Sequence, residues 1–576
     1  MNNFRYIFLL IIIFISSCND NFLDKYPLDT VTHGTYWKTE DQLRAALYPC
    51  YDGLQYELIT YPNVFGDDVV WGSLSSGLSK VPGGRHTAMD GFPFTSFWAY
   101  TYSHIFDCNN FLDHYDAAEI DQDTKDVYAA EVKVIRALQY FWLTTYWGDV
   151  PLITNVITAS EAYGPRTPRE EVVQFILYDL DWAAGKLGSE IPSGENVGRI
   201  NKWGALALKA RIALQNEKWE LAANTAKEIM DNSPYELYTN YEDLYHLAGN
   251  VEENPANKEA IIYSLYVDNL RMNNLSNYTC TAVDYIRLNP SKRLVDAFLC
   301  TDGKPAKAGL EYNQNANVTT SDLYTYPEEH YTDYFANRDP RMAITLYTPG
   351  DEWPGGDDGD PDVDVVNSTF QLPRFAVLQN NNRLGANGLT GFYFKKYNSL
   401  ELAGQYNRDH NNINVIRYAE VLLIYAEALF NMQGETLTQD QIDLTINELR
   451  NRVGMHPMIL TELQNWGMDL KTELHRERRV EMSMDGMRYF DVLRWKEGDK
   501  FLGKAMVGPS LQVCLNDLGK NPFPDNGTDE FGDIIYEKSV AEGGLDNFDP
   551  GKHYLWPVPY AERIKNPDLG QNPGWE

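Results

Sequence analysis

The chain has 576 residues, 49 basic against 82 acidic, for a formal net charge of −33. A field of that sign excludes nucleic acid and anionic membrane surfaces as long-range partners. Aromatic residues make up 13% of the chain, including 38 tyrosines and 13 tryptophans. A helical core does not need so many tyrosines, so some are expected at surfaces that use a flat ring with a polar tip.

The first predicted element is a leader. Arg5 supplies a positive charge and Tyr6 to Ile15 is unbroken apolar sequence. The run is shorter than the ~20 residues of helix that span a hydrocarbon core, and it has the charged start and short apolar centre of an export signal. It ends in Ile15-Ser16-Ser17-Cys18, which matches a bacterial lipobox. Cys18 is therefore expected to receive lipid and to tether the mature chain. The other cysteines, Cys50, Cys108, Cys280, Cys300 and Cys514, are odd in number and show no paired spacing. They predict buried apolar thiols, with neither a disulfide framework nor a C-x-x-C metal site.

A helix is predicted from Lys38, with Leu43, Ala46, Leu47 and Cys50 at helical spacing and Pro49 bending it. The glycine- and serine-rich stretch 63–92 reads as a long loop. Helices follow over about 94–118, 124–147 and from Pro168, then a helix pair turning near Gln215 to Lys218. Between 269 and 400 helical periodicity fades, and irregular structure with short strands such as "GFYFKKY" is expected. Helix returns with "NVIRYAEVLLIYAEALF" and runs in pieces through "LKTELHRERRVEMSMDGMRYFDVLRW". Alanines at helix-pair crossing positions predict a mainly α fold. Degenerate tetratricopeptide-like helix pairs would form a scaffold, carrying a long, irregular, loop-rich lobe with short strands.

Several stretches resemble the SusD/RagB family of outer-membrane nutrient-binding lipoproteins of Bacteroidetes. They are "CNDNFLDKYPLDT", "EVKVIRALQYFWLTTYWGDVPLIT", "NPSKRLVDAFLCTDGKP", "NVIRYAEVLLIYAEALF", "RERRVEMSMDGMRYFDVLRW" and "YLWPVPYAERIKNPDLGQNPGW", in the family's order along the chain. Where the family usually carries leucine-alanine-phenylalanine-glutamate-glycine, this chain has Met482-Ser483-Met484-Asp485-Gly486. That departure keeps the acid and the glycine. The loops 63–92 and 300–390 match nothing specific, so the ligand is not inherited. The resemblance implies a surface lipoprotein that lies over a SusC-like TonB-dependent porin and captures ligand as a lid. It also implies a division into a leader at 1–17, an N-terminal helical region at 18–235 with an early ligand loop at 63–97, and a C-terminal region at 236–576. The last would hold the irregular lobe 269–400 and helices 414–495.

Catalysis has no positive signal: the ten histidines show no H-E-x-x-H cluster, and no G-x-S-x-G elbow occurs. Glu477 and Glu481 lie one helical turn apart, but the surrounding arginines predict a structural ion network. The acidic run "DEWPGGDDGDPDVDVV" lacks EF-hand spacing and reads as a solvated loop. No metal or cofactor is expected.

A sugar site wants flat rings against pyranose faces with polar groups to orient hydroxyls. The early loop offers Asp67, Asp68, Trp71 and Arg85, and the following helix offers Phe94, Phe97 and Trp98. Trp98, Tyr102 and Ile105 also form a stripe that a core would use. The irregular lobe offers Tyr285, Tyr324, Tyr326, Tyr331, Tyr334 and Trp353. The reading is a non-enzymatic glycan-binding lipoprotein of the outer membrane, facing the cell exterior and anchored by lipid alone. Two alternatives stay open: a RagB-like peptide-binding subunit, and a tetratricopeptide scaffold that binds only proteins.

Overall fold

Apolar residues at helical spacing, bounded by capping side chains, build the first half of the chain in a computed structural model. It describes residues 36–72, 77–158, 160–279, 286–306, 328–353, 368–372, 375, 388–402, 407–535 and 547–576. Helix α1 (Glu40–Tyr51) starts at a capping box between Thr39 and Gln42 and buries Leu43, Leu47 and Cys50. Strand β1 (Val69–Trp71) and helix α2 (Phe94–His114) follow. Helix α3 (Gln122–Trp147) begins where the Asp121 carboxylate accepts from the Thr124 N–H at 2.9 Å, and it stops at Gly148, whose φ of 73° suits glycine. Helices α4 (Arg169–Ala184), α5 (Lys202–Gln215) and α6 (Trp219–Asn232) complete this half.

Each helix packs on its sequence neighbour, α2 on α3, α3 on α4, α4 on α5 and α5 on α6. Helix α7 (Tyr418–Met432), from the far end of the chain, then lies against α6. Buried Ala222 and Ala226 on α6 and Ala419 and Ala426 on α7 allow the close approach. The fold is mainly α, with tetratricopeptide-like layering, as the alanine pattern predicts.

Local pattern misleads where a strand draws its partner from afar. The stretch 63–92 is not one long loop. It holds the short helices Pro62–Phe65 and Gly77–Lys80 and strand β1, which pairs antiparallel with β3 (Leu288–Pro290), Val69 opposite Pro290 and Trp71 opposite Leu288. Asn414 to Arg417, expected as the start of a helix, lie instead in strand β6 (Ile413–Arg417), whose β-branched side chains are buried against β2 (Ala260–Ser264). "GFYFKKY" forms no strand. Phe394 makes an isolated bridge with Leu346, and Phe392, Tyr393 and Phe394 are fully buried. Short pairs β4 (Glu352–Trp353) with β5 (Ser368–Thr369) and β7 (Val507–Ser510) with β8 (Asp533–Ile535) finish the strands among the described residues.

Helix α8 (Leu470–Glu481) and helix α9 (Arg488–Arg494) are buried although rich in charge. Glu477 pairs with Arg341 and with Arg450 at 2.8 Å, and Glu481 with Arg417 at 2.7 Å and Arg452 at 2.6 Å. Burial pushes the Glu481 carboxyl up, but the arginines around it win and hold it below the usual carboxylate range. The pair is an ion network. Its partners, however, are distant arginines and not the neighbouring Arg476, Arg478 and Arg479.

Near the C-terminal end, before helix α10 (Tyr560–Lys565), Trp556 fills the centre of the core. It stacks on Tyr146 at 4.0 Å between ring centroids and meets Phe65, Phe94 and Phe97 edge-on. Cys50, Cys108, Cys300 and Cys514 are free and buried; Cys280 lies outside the described residues.

Candidate functional site

The pairing of β1 with β3 decides where Trp71 stands. Asp67 and Asp68, just before β1, are buried against α8 and α9. Asp67 accepts from Arg488 Nε at 2.7 Å and Arg479 Nη2 at 2.9 Å, and Asp68 accepts from Arg479 Nε at 2.7 Å. Burial pushes the Asp67 carboxyl up, but Arg479 and Arg488 hold it below the ordinary range, whereas for Asp68 burial prevails and raises it. Ser291, one residue past β3, clamps the same turn, donating its hydroxyl to the Asp67 carbonyl at 2.6 Å and its N–H to the Asp68 carbonyl at 2.8 Å. At the other end of the strand the Gly72 N–H donates to the Arg287 carbonyl at 2.7 Å. A Cβ on Gly72 would stand 2.2 Å from the Ile286 carbonyl oxygen, so the strands close only because the residue is glycine.

Trp71 is thereby held, only 9% exposed, beneath an aromatic cluster that sequence reasoning missed, so it is corrected from a displayed stacking ring to the ring that supports the cluster. Tyr61 and Tyr278 meet its ring edge-on, each at 5.8 Å, and the Arg287 guanidinium lies 5.9 Å from its centre. Tyr61 also meets Phe92 edge-on at 6.3 Å, and Phe92 is 41% exposed. Tyr61, Tyr278 and Arg287 are half-buried, and Tyr100, on α2 and within electrostatic reach of Tyr61, is 55% exposed. Burial pushes the Tyr61 hydroxyl up, and the nearby Tyr278 adds to the effect, so Tyr61 remains a neutral hydrogen-bonding group at neutral pH. The loop before Phe92 is braced by Lys80 on Asp90 and by the Thr87 N–H, which donates to Asp90 at 2.7 Å. Half-exposed rings with neutral polar tips and one guanidinium can stack a flat apolar face and orient hydroxyls. The usable signals for the missed residues were Tyr61 ahead of Pro62 and Phe92 in "DGFPF".

The other expected contacts are placed differently. Asp67 and Asp68 are closed off by arginine and act on the strand that carries Trp71, so they are corrected from ligand contacts to positioning groups. Phe94 and Phe97 are core residues packed on Trp556, since the first turn of α2 points inward. Tyr331 and Tyr334 are fully buried around Phe392. The Tyr331 hydroxyl donates to the Gly391 carbonyl, and the Tyr334 hydroxyl accepts from the Ser510 N–H. Both are corrected to packing residues. Arg85 is half-buried and donates to the Ser79 carbonyl at 3.4 Å. Trp98 is mostly buried against Trp147 and Tyr102 but lines a separate groove. Trp353 sits in β4; its side chain, with Tyr285, Tyr324, Tyr326, Cys18 and the acidic run 354–366, lies outside the described residues. Among the described residues no group of three or more His, Cys, Asp or Glu side chains could hold a metal ion.

Two family models match the chain. One, described as the SusD family, covers residues 259–575, and the other, described as starch-binding associating with outer membrane, covers 21–214. SusD-like protein P2 of Formosa agariphila is 23% identical over all of both chains. SusD-like protein P25 of the same organism is 25% identical over 85% of this chain and 89% of its own. A solved SusD-like carbohydrate binding protein from Bacteroides fragilis is 25% identical, covers 93% of this chain and 100% of its own, and superposes with a TM-score of 0.76. A laminarin binding SusD-like protein shares the fold with a TM-score of 0.63 at 20% identity, over 93% of this chain and 100% of its own.

Proposed function

The chain belongs to the SusD family, and on that premise we propose that it is a lipid-anchored glycan-binding protein of the outer membrane that hands its ligand to a SusC-like TonB-dependent importer. The observation that carries the reading is the cluster of Trp71, Tyr61, Tyr278 and Phe92 with Arg287 beside it. The partly exposed rings of Tyr61, Tyr278 and Phe92, backed by the buried Trp71, offer stacking faces, and the tyrosine hydroxyls and the guanidinium offer hydrogen bonds that orient a sugar. Each hydrogen bond exchanges water for protein at small net gain, so the site works by shape and by summing several contacts. The carbohydrate- and laminarin-binding relatives support the ligand class, and the description of the N-terminal family model supports the membrane. Among the described residues no helix is long and apolar enough to cross a membrane, which agrees with tethering through lipid on Cys18. The leader at 1–17 and the two regions at 18–235 and 236–576 remain our division of the chain. No catalytic step is proposed.

The test is electrophoresis of the purified chain in native gels cast with laminarin, starch and other polysaccharides, with peptide mixtures titrated by calorimetry. Retardation in one polysaccharide, lost in Trp71→Ala and in Tyr278→Ala, is the expected result. Absence of retardation in every gel, with heat released on peptide addition, would replace the glycan by a peptide ligand.

A further inference from the structure

A groove of about 310 Å³, at the small end of ligand sites, runs along α2. Its helical wall is Trp98, Tyr102 and Phe106, four residues apart and so on one face of the helix. Tyr100 stands on the opposite flank of α2, and none of Trp71, Tyr61, Tyr278 and Phe92 lines the groove, so it is a separate place on the molecule. The segment 151–157 and Ala162 face the helix, and Glu562, Asn566 and Leu569 close the third side. The walls are tied to one another. Tyr102 donates its hydroxyl to the Pro151 carbonyl at 2.8 Å, Asn109 its amide to the Ile153 carbonyl at 2.9 Å, and Arg136 a guanidinium N–H to the Thr154 carbonyl at 3.1 Å. Arg166 holds the third side through the Leu569 carbonyl at 2.7 Å. Phe106 is 53% exposed, and an apolar hollow with an exposed aromatic rim is uncommon on a surface that faces only water.

Three further observations define the occupant. Asn566, just past α10, lines the groove and is only 7% exposed. Its amide donates to the Gly164 carbonyl at 3.0 Å, while Oδ1 is buried with no hydrogen-bond partner. A buried acceptor of that kind wants a donor, and a hydroxyl or N–H brought by a ligand meets the need. The one charged side chain among the described lining residues, Glu562, is already paired with Lys565 at 2.9 Å, so the groove does not call for a charge. The facing segment also gives a peptide little edge to pair with. Its Leu152, Ile153 and Val156 N–H groups are spent on Thr167 Oγ1, the Tyr140 hydroxyl and the Asp113 carboxylate, whereas strand addition needs such groups free. What fits is a small neutral ring with an apolar face and a hydroxyl to donate.

We propose that this groove is a second sugar site, independent of the Trp71 cluster, which takes one neutral pyranose with its apolar face on Phe106 and a hydroxyl donated to Asn566 Oδ1. The inference rests on the glycan reading above for its ligand class and for nothing of its geometry. The two sites fill separately, each by its own sugar.

The test titrates the fluorotryptophan-labelled chain with disaccharides cut from laminarin and from starch and follows it by fluorine NMR, the Trp98 resonance being assigned by its loss in Trp98→Phe. That resonance is expected to move saturably with one of the two sugars. Phe106→Ala and Asn566→Leu should each weaken the titration about three- to tenfold, and the groove-filling Ala162→Phe should abolish it. Phe106 and Ala162 are exposed, so those two variants should melt as wild type by circular dichroism and decide the matter even if Asn566→Leu does not fold. Tyr278→Ala, expected to lose gel retardation, should leave the Trp98 titration as in wild type; a change there would refute independence. A Trp98 resonance that stays still while wild type is retarded in a gel, or that moves equally in Phe106→Ala and Ala162→Phe, removes the groove as a sugar site and leaves the glycan reading standing. Movement with peptides and not with sugars overturns the occupant. If neither disaccharide moves Trp98 and no gel polysaccharide retards wild type, both readings fall.

Discussion

Arg479→Met is the sharpest test of the claim that Asp67 and Asp68 place Trp71 without touching ligand. The substitution keeps volume and removes the guanidinium that serves both carboxylates. Asp67 keeps Arg488 at 2.7 Å, but Asp68 is left with Arg488 only at 3.9 Å and remains almost fully buried. Removing one partner of a buried ion pair costs ~3–5 kcal/mol, because the other charge stays out of water. Asp68 has an escape, since burial already raises its carboxyl and protonation can discharge it. The expected loss is therefore near the lower end, about 3 kcal/mol at pH 8, and smaller at pH 5, where the proton costs less. Urea unfolding followed by tryptophan fluorescence at both pH values measures it. Adding Asp68→Asn should recover about half or more of the loss by removing the stranded charge. A loss under ~1 kcal/mol, or no recovery in the double variant, would refute the assignment of these acids to positioning.

The remaining predictions concern the histidines, the strand closure and the core. His86 and His553 are buried with ring centroids 5.0 Å apart, His86 also lying against Trp575 and His553 next to Lys552 and Asp549. Burial pulls their imidazoles down, to about 3 and about 4, from an unfolded value of 6.5. Below pH 6.5 the unfolded chain binds protons that the folded one refuses, so Tm should fall continuously from pH 6.5 toward pH 4, and His86→Phe should make the fall shallower. Gly72→Ala should part β1 from β3 and weaken polysaccharide retardation, whereas Gly91→Ala, whose Cβ would meet nothing within 4 Å, should leave both Tm and retardation unchanged. Trp556→Ala should cost ~3–5 kcal/mol by calorimetry, and Trp556→Phe clearly less, because the phenyl ring retains part of the stack on Tyr146.

Helices were legible wherever apolar spacing and a cap agreed, as at Asp121 and Gly148 around α3. Reading failed where the deciding partner was remote. Ile413–Arg417 carries the apolar character of the helix it precedes, and only β2, some 150 residues earlier in the chain, makes it a strand. The site suffered the same way. Asp67 and Asp68 look like ligand groups in a loop until Arg479 and Arg488 arrive from more than 400 residues away. Phe94 and Phe97 look displayed until Trp556 covers them. The ion network at Glu477 and Glu481 was legible in kind from charge alternation, but its partners Arg341, Arg417, Arg450 and Arg452 come from three other segments. Trp71 was visible as a tryptophan in a glycine-rich stretch; the rings of Tyr61 and Tyr278 that flank it depend on the strand pair and on no local motif.

The seat of Trp556 has a consequence for how the molecule comes to exist. The Trp556 N–H donates to the Tyr146 carbonyl at 2.7 Å, and the Trp147 indole donates to the Pro557 carbonyl across 410 residues of sequence. Helices α2 to α6 can form as they emerge, because their mutual contacts are local. The hollow between Phe65, Phe94, Phe97 and Tyr146 nevertheless stays open until residue 557 has left the ribosome. Until then the chain carries an unfilled aromatic socket, sticky toward its own kind. Completion of this fold is thus a late event in the making of the chain, and a chain arrested short of that point would hold most of its helices without its centre.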